Sequence, residues 1–455
     1  GRNLYAQVKK DRFSMELYNM ISRNKISIPQ VSGVPEDIRF YFEKYLERYC
    51  GIYGQPPIRV GGEAWSFLER RRWEGDGRQP RHALPLDRKN QTQRIGITRK
   101  GVSRMMTGTQ RIKALLDGSP IDRTPIGGGY HMPLVDRNVT DFTRELIAST
   151  DLNKWDFIKI MTNGHFYTEA YGGDIAFSKV NTMWSGTIKR YPIRSAADAR
   201  NLPVLGIDNP VWQRELKILR NLKDYYQDRL PIVATIFNPL TAVQECAGCL
   251  DPVPMLHLMA EDPDALHKAL EAMTQTNFIY LDALFAEGID GIFLANQYSM
   301  SHLLTDAQYE EFCQPYEARI LEHCKGHTWF NMAHIHGSRN LRMDRYLSYS
   351  DDLLQALNWE CCPVGVPAEE VTTIADVRAK TDKIIIAGFD QDHDFITPEN
   401  DREAVKAVLK RRFLEAEKEN GSNRFIFAPG CCLAHGGSYL NALIYEVAEE
   451  LGQSK

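Results

Sequence analysis

A (β/α)8 barrel of the α/β class, preceded by an N-terminal, partly helical extension, is the fold this sequence predicts. Three observations carry that reading. From about residue 106 short apolar runs of strand length alternate with longer helical stretches; eight such runs can be traced; and no Gly-x-Gly-x-x-Gly follows any of them to suggest an open dinucleotide-binding sheet.

The eight runs fall at residues 125–126, 157–161, 232–237, 291–295, 329–333, 354–357, 384–388 and 424–428. Their Ile, Val, Phe and Ala content, with little polar alternation, suits strands buried on both faces, as parallel sheets require. Between them lies helix punctuation. Asp262-Pro263 reads as an N-cap followed by a first-turn proline, Gly288 closes the apolar stripe of Leu266, Leu270 and Met273, and Thr305 with Gln308 fits a capping box. The mostly apolar run 278–285 reads as helix packed on the barrel.

Residues 1–105 read differently and are expected to form the extension, with 106–455 forming the barrel. An amphipathic pattern through Ile38, Phe42 and Leu46 suggests helix, and an arginine-rich stretch follows from Arg70 to Arg94. A solvated arm packed along the body is the plain reading; in a homodimer the same arm would cover a partner subunit or the mouth of a site.

Composition narrows the function. With 55 basic and 59 acidic residues spread along 455, the chain has no electrostatic footprint for nucleic acid, and a small-molecule substrate is expected. No apolar run approaches the roughly 18 residues that a membrane helix needs, and no charged-then-apolar leader opens the chain. Nine cysteines, including the vicinal pairs Cys361-Cys362 and Cys431-Cys432, make no disulfide framework at this size and suit a reducing cytoplasm. Cys246-Ala247-Gly248-Cys249 lacks the second pair that a zinc knuckle would need.

Barrel enzymes do their chemistry at the C-terminal ends of strands. Just past the predicted strands lie Tyr130 and His131, then His165, Asn238, Gln297, His334 and His336, Asn358, Asp390, and finally Cys431, Cys432 and His435. Tyr130, His131, His165, Asn238 and Asn358 are candidates for binding substrate, Asp390 and Gln297 for orienting reacting groups, and His435 for donating a proton. His334-Ile335-His336 is the most specific signal. Two imidazoles at strand spacing face one side, and a Cys431 thiolate from another strand end would complete a three-ligand zinc site with one open position.

Residues 106 to 452 resemble the uroporphyrinogen decarboxylase superfamily. The pieces that carry the resemblance are Gly118-Ser119-Pro120-Ile121-Asp122-Arg123-Thr124-Pro125, Asp262-Pro263-Asp264-Ala265-Leu266-His267, His334-Ile335-His336-Gly337, Leu357-Asn358-Trp359, Gly388-Phe389-Asp390 and Ala428-Pro429-Gly430-Cys431. That superfamily also contains zinc-dependent methyltransferases that move methyl groups between corrinoid proteins and thiols. True uroporphyrinogen decarboxylases carry an arginine-rich motif near the first strand and Gly-His-Gly at the last. Here those places read Gly127-Gly128-Gly129-Tyr130-His131-Met132 and Gly430-Cys431-Cys432.

The methyltransferases carry His-x-Cys after the fifth strand and a Cys after the last. This chain keeps the first and third ligands, His334 and Cys431, and has His336 in the middle place. The resemblance therefore implies zinc held by His334, His336 and Cys431, and methyl or alkyl transfer from a small molecule or a corrinoid to a thiol. Corrinoid or tetrahydrofolate would come from a partner such as a corrinoid protein, because no corrinoid-binding segment is present. Two other readings stay open: a metal-free decarboxylase or lyase acting on a small carboxylated substrate, and a non-catalytic subunit that docks a corrinoid protein.

Overall fold

The structure, a computed structural model, describes residues 106–178, 185–396, 402–433 and 439–452. The expected extension over 1–105 and the candidate His435 lie outside the described residues.

Seven strands form one parallel sheet in the order β1 (Ile158–Ile160), β4 (Ile232–Phe237), β5 (Gly291–Asn296), β6 (Met332–Ile335), β7 (Ala356–Trp359), β8 (Ile384–Phe389) and β9 (Phe425–Pro429). The sheet curls, and helices follow its strands. Between β1 and β4 the chain adds an antiparallel hairpin, β2 (Asp174–Phe177) with β3 (Gly186–Arg190), which the sequence did not announce because neither strand carries more than three consecutive apolar residues.

The expected eighth strand at 125–126 is reduced to one bridging residue, Ile126, set against Phe427 of β9. Its chemistry explains the reduction. Pro125 has no N–H to give to a ladder, and three glycines follow Ile126. On the β1 side the Ile126 N–H goes to the Asp156 carboxylate at 2.7 Å rather than to a strand carbonyl. Asp156 also receives Arg123 at 2.7 Å and an ion pair from Arg111, so a buried charge cluster occupies the seam between β9 and β1. Among the described residues a full eight-strand ladder is not formed.

Two strands sit further along the chain than expected. The run 329–333 enters the ladder as Met332–Ile335, and 354–357 as Ala356–Trp359. Asn331 and Gln355 set these starts: the Asn331 side chain takes the Ile292 N–H at 3.2 Å, and the Gln355 side chain takes the Asn331 N–H at 2.7 Å. His334 and Asn358 therefore lie within strands, facing each other in register, rather than just beyond them.

Period-two alternation sorts the strand residues. Val233, Phe293, Met332, Ala356, Ile384 and Ile426 turn into an inner core, closed at one end by Ile112 and Leu115 of helix α1 (Gly108–Asp117). Ala333, Ile335, Leu357, Ile385 and Phe427 pack outward against the helices. By the same parity His334 follows Met332 inward. The helix signals hold: Asp262 caps the helix Pro263–Ala286 through the Ala265 N–H, and Thr305 and Gln308 form a capping box. All described cysteines are free, and among the described residues no helix is long and apolar enough to cross a membrane.

Candidate metal centre

His334, on the inner face of β6, and His336, two residues on, bring their rings to 5.6 Å between centroids. The chain can leave β6 this way because residue 337 is glycine: its φ is +120°, and a Cβ there would come within 2.6 Å of the Met300 sulfur. A second glycine delivers the thiol. Where β9 ends, a Cβ on Gly430 would lie 2.5 Å from the Glu360 Cα, so only a residue without a side chain lets Cys431 swing over the end of β7. Ligand atoms of His334, His336 and Cys431 then all lie within 4.8 Å of one another.

The tautomer of His334 is set by its neighbour. The Asn358 amide nitrogen donates to the Ile386 carbonyl at 2.8 Å and to the Pro429 carbonyl at 3.0 Å, which turns its oxygen toward the imidazole. Nδ1 of His334 must then be the protonated nitrogen that donates to Asn358 Oδ1 at 2.7 Å, leaving Nε2 with a free lone pair. The ring is held flat against Phe293, at 4.9 Å and 22°. Burial, then His336 and Lys159, push the pKa of His334 down to about 3, and burial lowers that of His336. Both rings are neutral at physiological pH, the state in which imidazole ligates a metal. Nδ1 of His336 is buried with no hydrogen-bond partner.

The two thiols are not equivalent. Cys432 shares a hydrogen bond with Cys431 and faces Lys159 and His131, so its pKa is the one held well below the ordinary thiol range, while that of Cys431 is held above it. Cys432 Sγ lies 3.7 Å from His131 Nε2. A metal at the imidazoles would reverse the order by drawing the proton from its own thiol ligand. The donor set of two neutral nitrogens and one sulfur, with an orphaned nitrogen among them, fits zinc.

Of the other residues singled out in the sequence, His131 and Asn358 join this cluster. Tyr130 is half-buried one residue before His131. Asn238 is fully buried and spent on structure: its oxygen caps the helix Pro239–Ala247, and its nitrogen donates to Glu317 at 3.0 Å. Both Asp390 oxygens accept from loop backbone, taking the Asp392 N–H after β8 at 2.8 Å and the Val364 N–H after β7 at 3.0 Å. Gln297 is half-buried after β5, its N–H on Thr241. His165 belongs elsewhere, paired with Glu245 at 3.3 Å.

Lys159 escaped sequence reasoning. Its ammonium sits 4.0 Å from the Phe293 ring, on which His334 also stacks, and it bears on both thiols. The signal was available: a lysine midway along the apolar run 157–161 is a charge that a buried strand must use or neutralise.

Fold and donor set together define a parallel α/β sheet of barrel type with a nitrogen and sulfur cluster at its strand ends. The sequence model of the uroporphyrinogen decarboxylase (URO-D) family matches residues 107–441. The chain belongs to the uroporphyrinogen decarboxylase family.

Among curated relatives, uroporphyrinogen decarboxylase from Alkalilimnicola ehrlichii is 23% identical over 329 residues, covering 66% of this chain and 84% of that protein. The enzyme of the same name from Nitrosococcus oceani is 27% identical over 237 residues, 46% of this chain and 62% of its own. A methyltransferase from Methanosarcina mazei shares the fold, with a TM-score of 0.60 at 18% identity, covering 76% of this chain and 99% of its own.

Proposed function

We propose that the chain is a zinc-dependent methyl or small-alkyl transferase, taking the group from a small molecule or corrinoid and passing it to a thiol. The observation that carries this reading is the convergence of His334, His336 and Cys431 within 4.8 Å, with Asn358 holding the free nitrogen of His334 toward the cluster. Zinc bound there would hold a substrate thiol deprotonated near neutral pH, as zinc does for bound water.

The chain's own residues supply the rest. His334 and His336 present uncharged, buried nitrogens. Lys159 supplies positive charge beside the thiols and would draw an anionic acceptor inward. His131, against Cys432, can take or return a proton there. A corrinoid, if used, would arrive on a separate protein or as a co-substrate.

The test is direct. Purified protein reconstituted with zinc and desalted is expected to retain metal that His336→Ala and Cys431→Ala each remove. It is also expected to transfer methyl from methylcobalamin to a small thiol, followed by the corrinoid spectrum. Zinc unchanged in both variants would overturn the assignment.

A second reading, decarboxylation or lysis of a small carboxylate without metal, is supported by Glu360. Burial, then Asp392 and Asp390, push its carboxyl up to about 7, and its backbone packs against Gly430. That supplies a proton-bearing acid just past β7, a group that protonates the carbanion left by decarboxylation. Substrate turnover by metal-free protein would favour it.

A further inference from the structure

Among the described residues a second cluster of ligating side chains lies apart from the first: His165 after β1, with Glu245 and Cys249 around the C-terminal end of the helix Pro239–Ala247. We propose that His165, Glu245 and Cys249 bind a second divalent metal ion of the zinc class, which ties the β2–β3 hairpin and the loop after β1 to that helix.

Geometry carries the argument. His165 Nδ1 lies 3.3 Å from Glu245 Oε2 and 3.9 Å from Cys249 Sγ, and the sulfur lies 3.6 Å from Glu245 Oε1. A protonated histidine bonded to a carboxylate closes to about 2.7–2.9 Å. Zinc bonds of about 2.0–2.1 Å to nitrogen and oxygen and about 2.3 Å to sulfur, at tetrahedral angles, instead put nitrogen and oxygen about 3.3 Å apart and either one about 3.5–3.6 Å from sulfur. The nitrogen–oxygen separation matches that edge, the sulfur faces the other oxygen of the same carboxylate, and the nitrogen–sulfur pair needs to close by about 0.3 Å. The other ring nitrogen, Nε2, faces the Gly186 carbonyl at 3.3 Å. A carbonyl only accepts, so Nε2 carries a proton and Nδ1 is the ring nitrogen turned to the carboxylate and the sulfur. Against burial, Glu245 holds the imidazole pKa up, so without a cation a proton on Nδ1 is favoured, and a bound metal ion would take its place.

The backbone is bent to make this arrangement. Gly248 and Cys249 both donate to the Gln244 carbonyl, and a Cβ at Gly248 would lie 2.3 Å from the Asp251 carbonyl. Cys249 then adopts a left-handed φ of 54°, a conformation that residues with a side chain seldom take. The turn throws its thiol back toward Glu245, four residues earlier. Cys246 takes no part: it is fully buried, against Thr168. The Cys-x-x-Cys spacing is therefore incidental, and the functional partners of Cys249 are the histidine and the carboxylate. Without a cation, burial and Glu245 hold the Cys249 thiol up at about 12. Each metal ion bound would release the thiol proton and any proton that His165 Nδ1 shares with Glu245, so affinity rises with pH.

Zinc is counted on the full chain after reconstitution with zinc chloride and desalting. Wild type is expected to retain two equivalents, Cys249→Ser and His165→Ala one each, and Cys431→Ser one, that of the second site. Loss confined to the Cys249 and His165 variants would support this site even if the first cluster proved empty. Zinc content equal to wild type in both of those variants would overturn it. Cobalt(II) gives an independent readout that does not depend on a folded Cys249 variant. In Cys431→Ser/Cys432→Ser protein a thiolate-to-cobalt charge-transfer band is expected from Cys249. Its absence, in protein that melts as wild type does, would overturn the proposal.

Discussion

Two groups of polar side chains sit near strand ends, and they are built on opposite principles. Behind β4 and β5, the fully buried Glu317 carboxylate accepts from Asn238 at 3.0 Å, Asn296 at 2.8 Å and Tyr349 at 3.1 Å. Inside the sheet, the cluster around His334 leaves donors and acceptors without partners: His336 Nδ1 and His131 Nδ1 are both buried and unbonded. Amides and acids at the ends of barrel strands look alike in a sequence. Satisfaction separates them: the first group completes its own hydrogen bonds and fixes the fold, and the second needs a guest to do so.

The sharpest way to break that contrast is to remove a ligand and a scaffold residue in parallel. Cys431→Ala is expected to lose the zinc equivalent of the His334 cluster and reduce transfer to background while the melting temperature stays within a few degrees of wild type, read by metal analysis and calorimetry. Glu317→Ala is expected to do the converse. Three buried donors lose their acceptor, at about 1–3 kcal/mol each before relaxation, so denaturant unfolding should show a loss of about 3 kcal/mol or more with zinc retained.

Asn358→Ala probes the boundary between the two groups, since this residue is bonded like scaffold and serves the site. Zinc affinity is expected to fall about 10- to 100-fold, measured by chelator competition. A change below twofold would show that the tautomer of His334 needs no guardian.

Acid sharpens the contrast further. The pKa of His334 is depressed from 6.5 to about 3, so the unfolded chain binds the extra proton first. Stability is intact above about 6.5 and is lost as pH falls toward 3, by on the order of a few kcal/mol in chelator-treated protein. His334→Gln should flatten that slope.

The smallest effect expected is at Asp136, whose two oxygens are buried without partners and whose pKa is raised to about 6, chiefly by burial. Its sign is opposite. Stability is full below the unfolded value of 3.8 and is lost as pH rises through 6, so Asp136→Asn should stabilise at pH 7 by roughly 2 kcal/mol and not at pH 4.

Much of this is legible in the sequence alone. Residues 232–237 form β4 as expected, and the His-x-His spacing placed both imidazoles on one face because strand parity is local. Cys431 was reachable only through the order of the strands, which the alternating pattern supplied. The rest failed for identifiable reasons. Asn331 and Gln355 shift two strand starts by side-chain hydrogen bonds that no propensity records, and Asp156 takes up the N–H that an eighth strand would have used. The partnership of Cys249 with His165 and Glu245 depends on a left-handed turn at a residue that is not glycine. Asn238 and Asn358 were indistinguishable as letters, and only their partners show that one caps a helix while the other orients a ring.

Asn358 spends its two N–H groups on carbonyls of two different neighbours, Ile386 in β8 and Pro429 at the end of β9. The protonation pattern of one imidazole is thereby tied to the spacing of three adjacent strands. A slip of either neighbour by a single residue would free the amide to rotate and would move the proton to the wrong nitrogen. Metal affinity in this protein should thus act as a gauge of sheet alignment, fading under mild denaturant before the molecule as a whole comes apart.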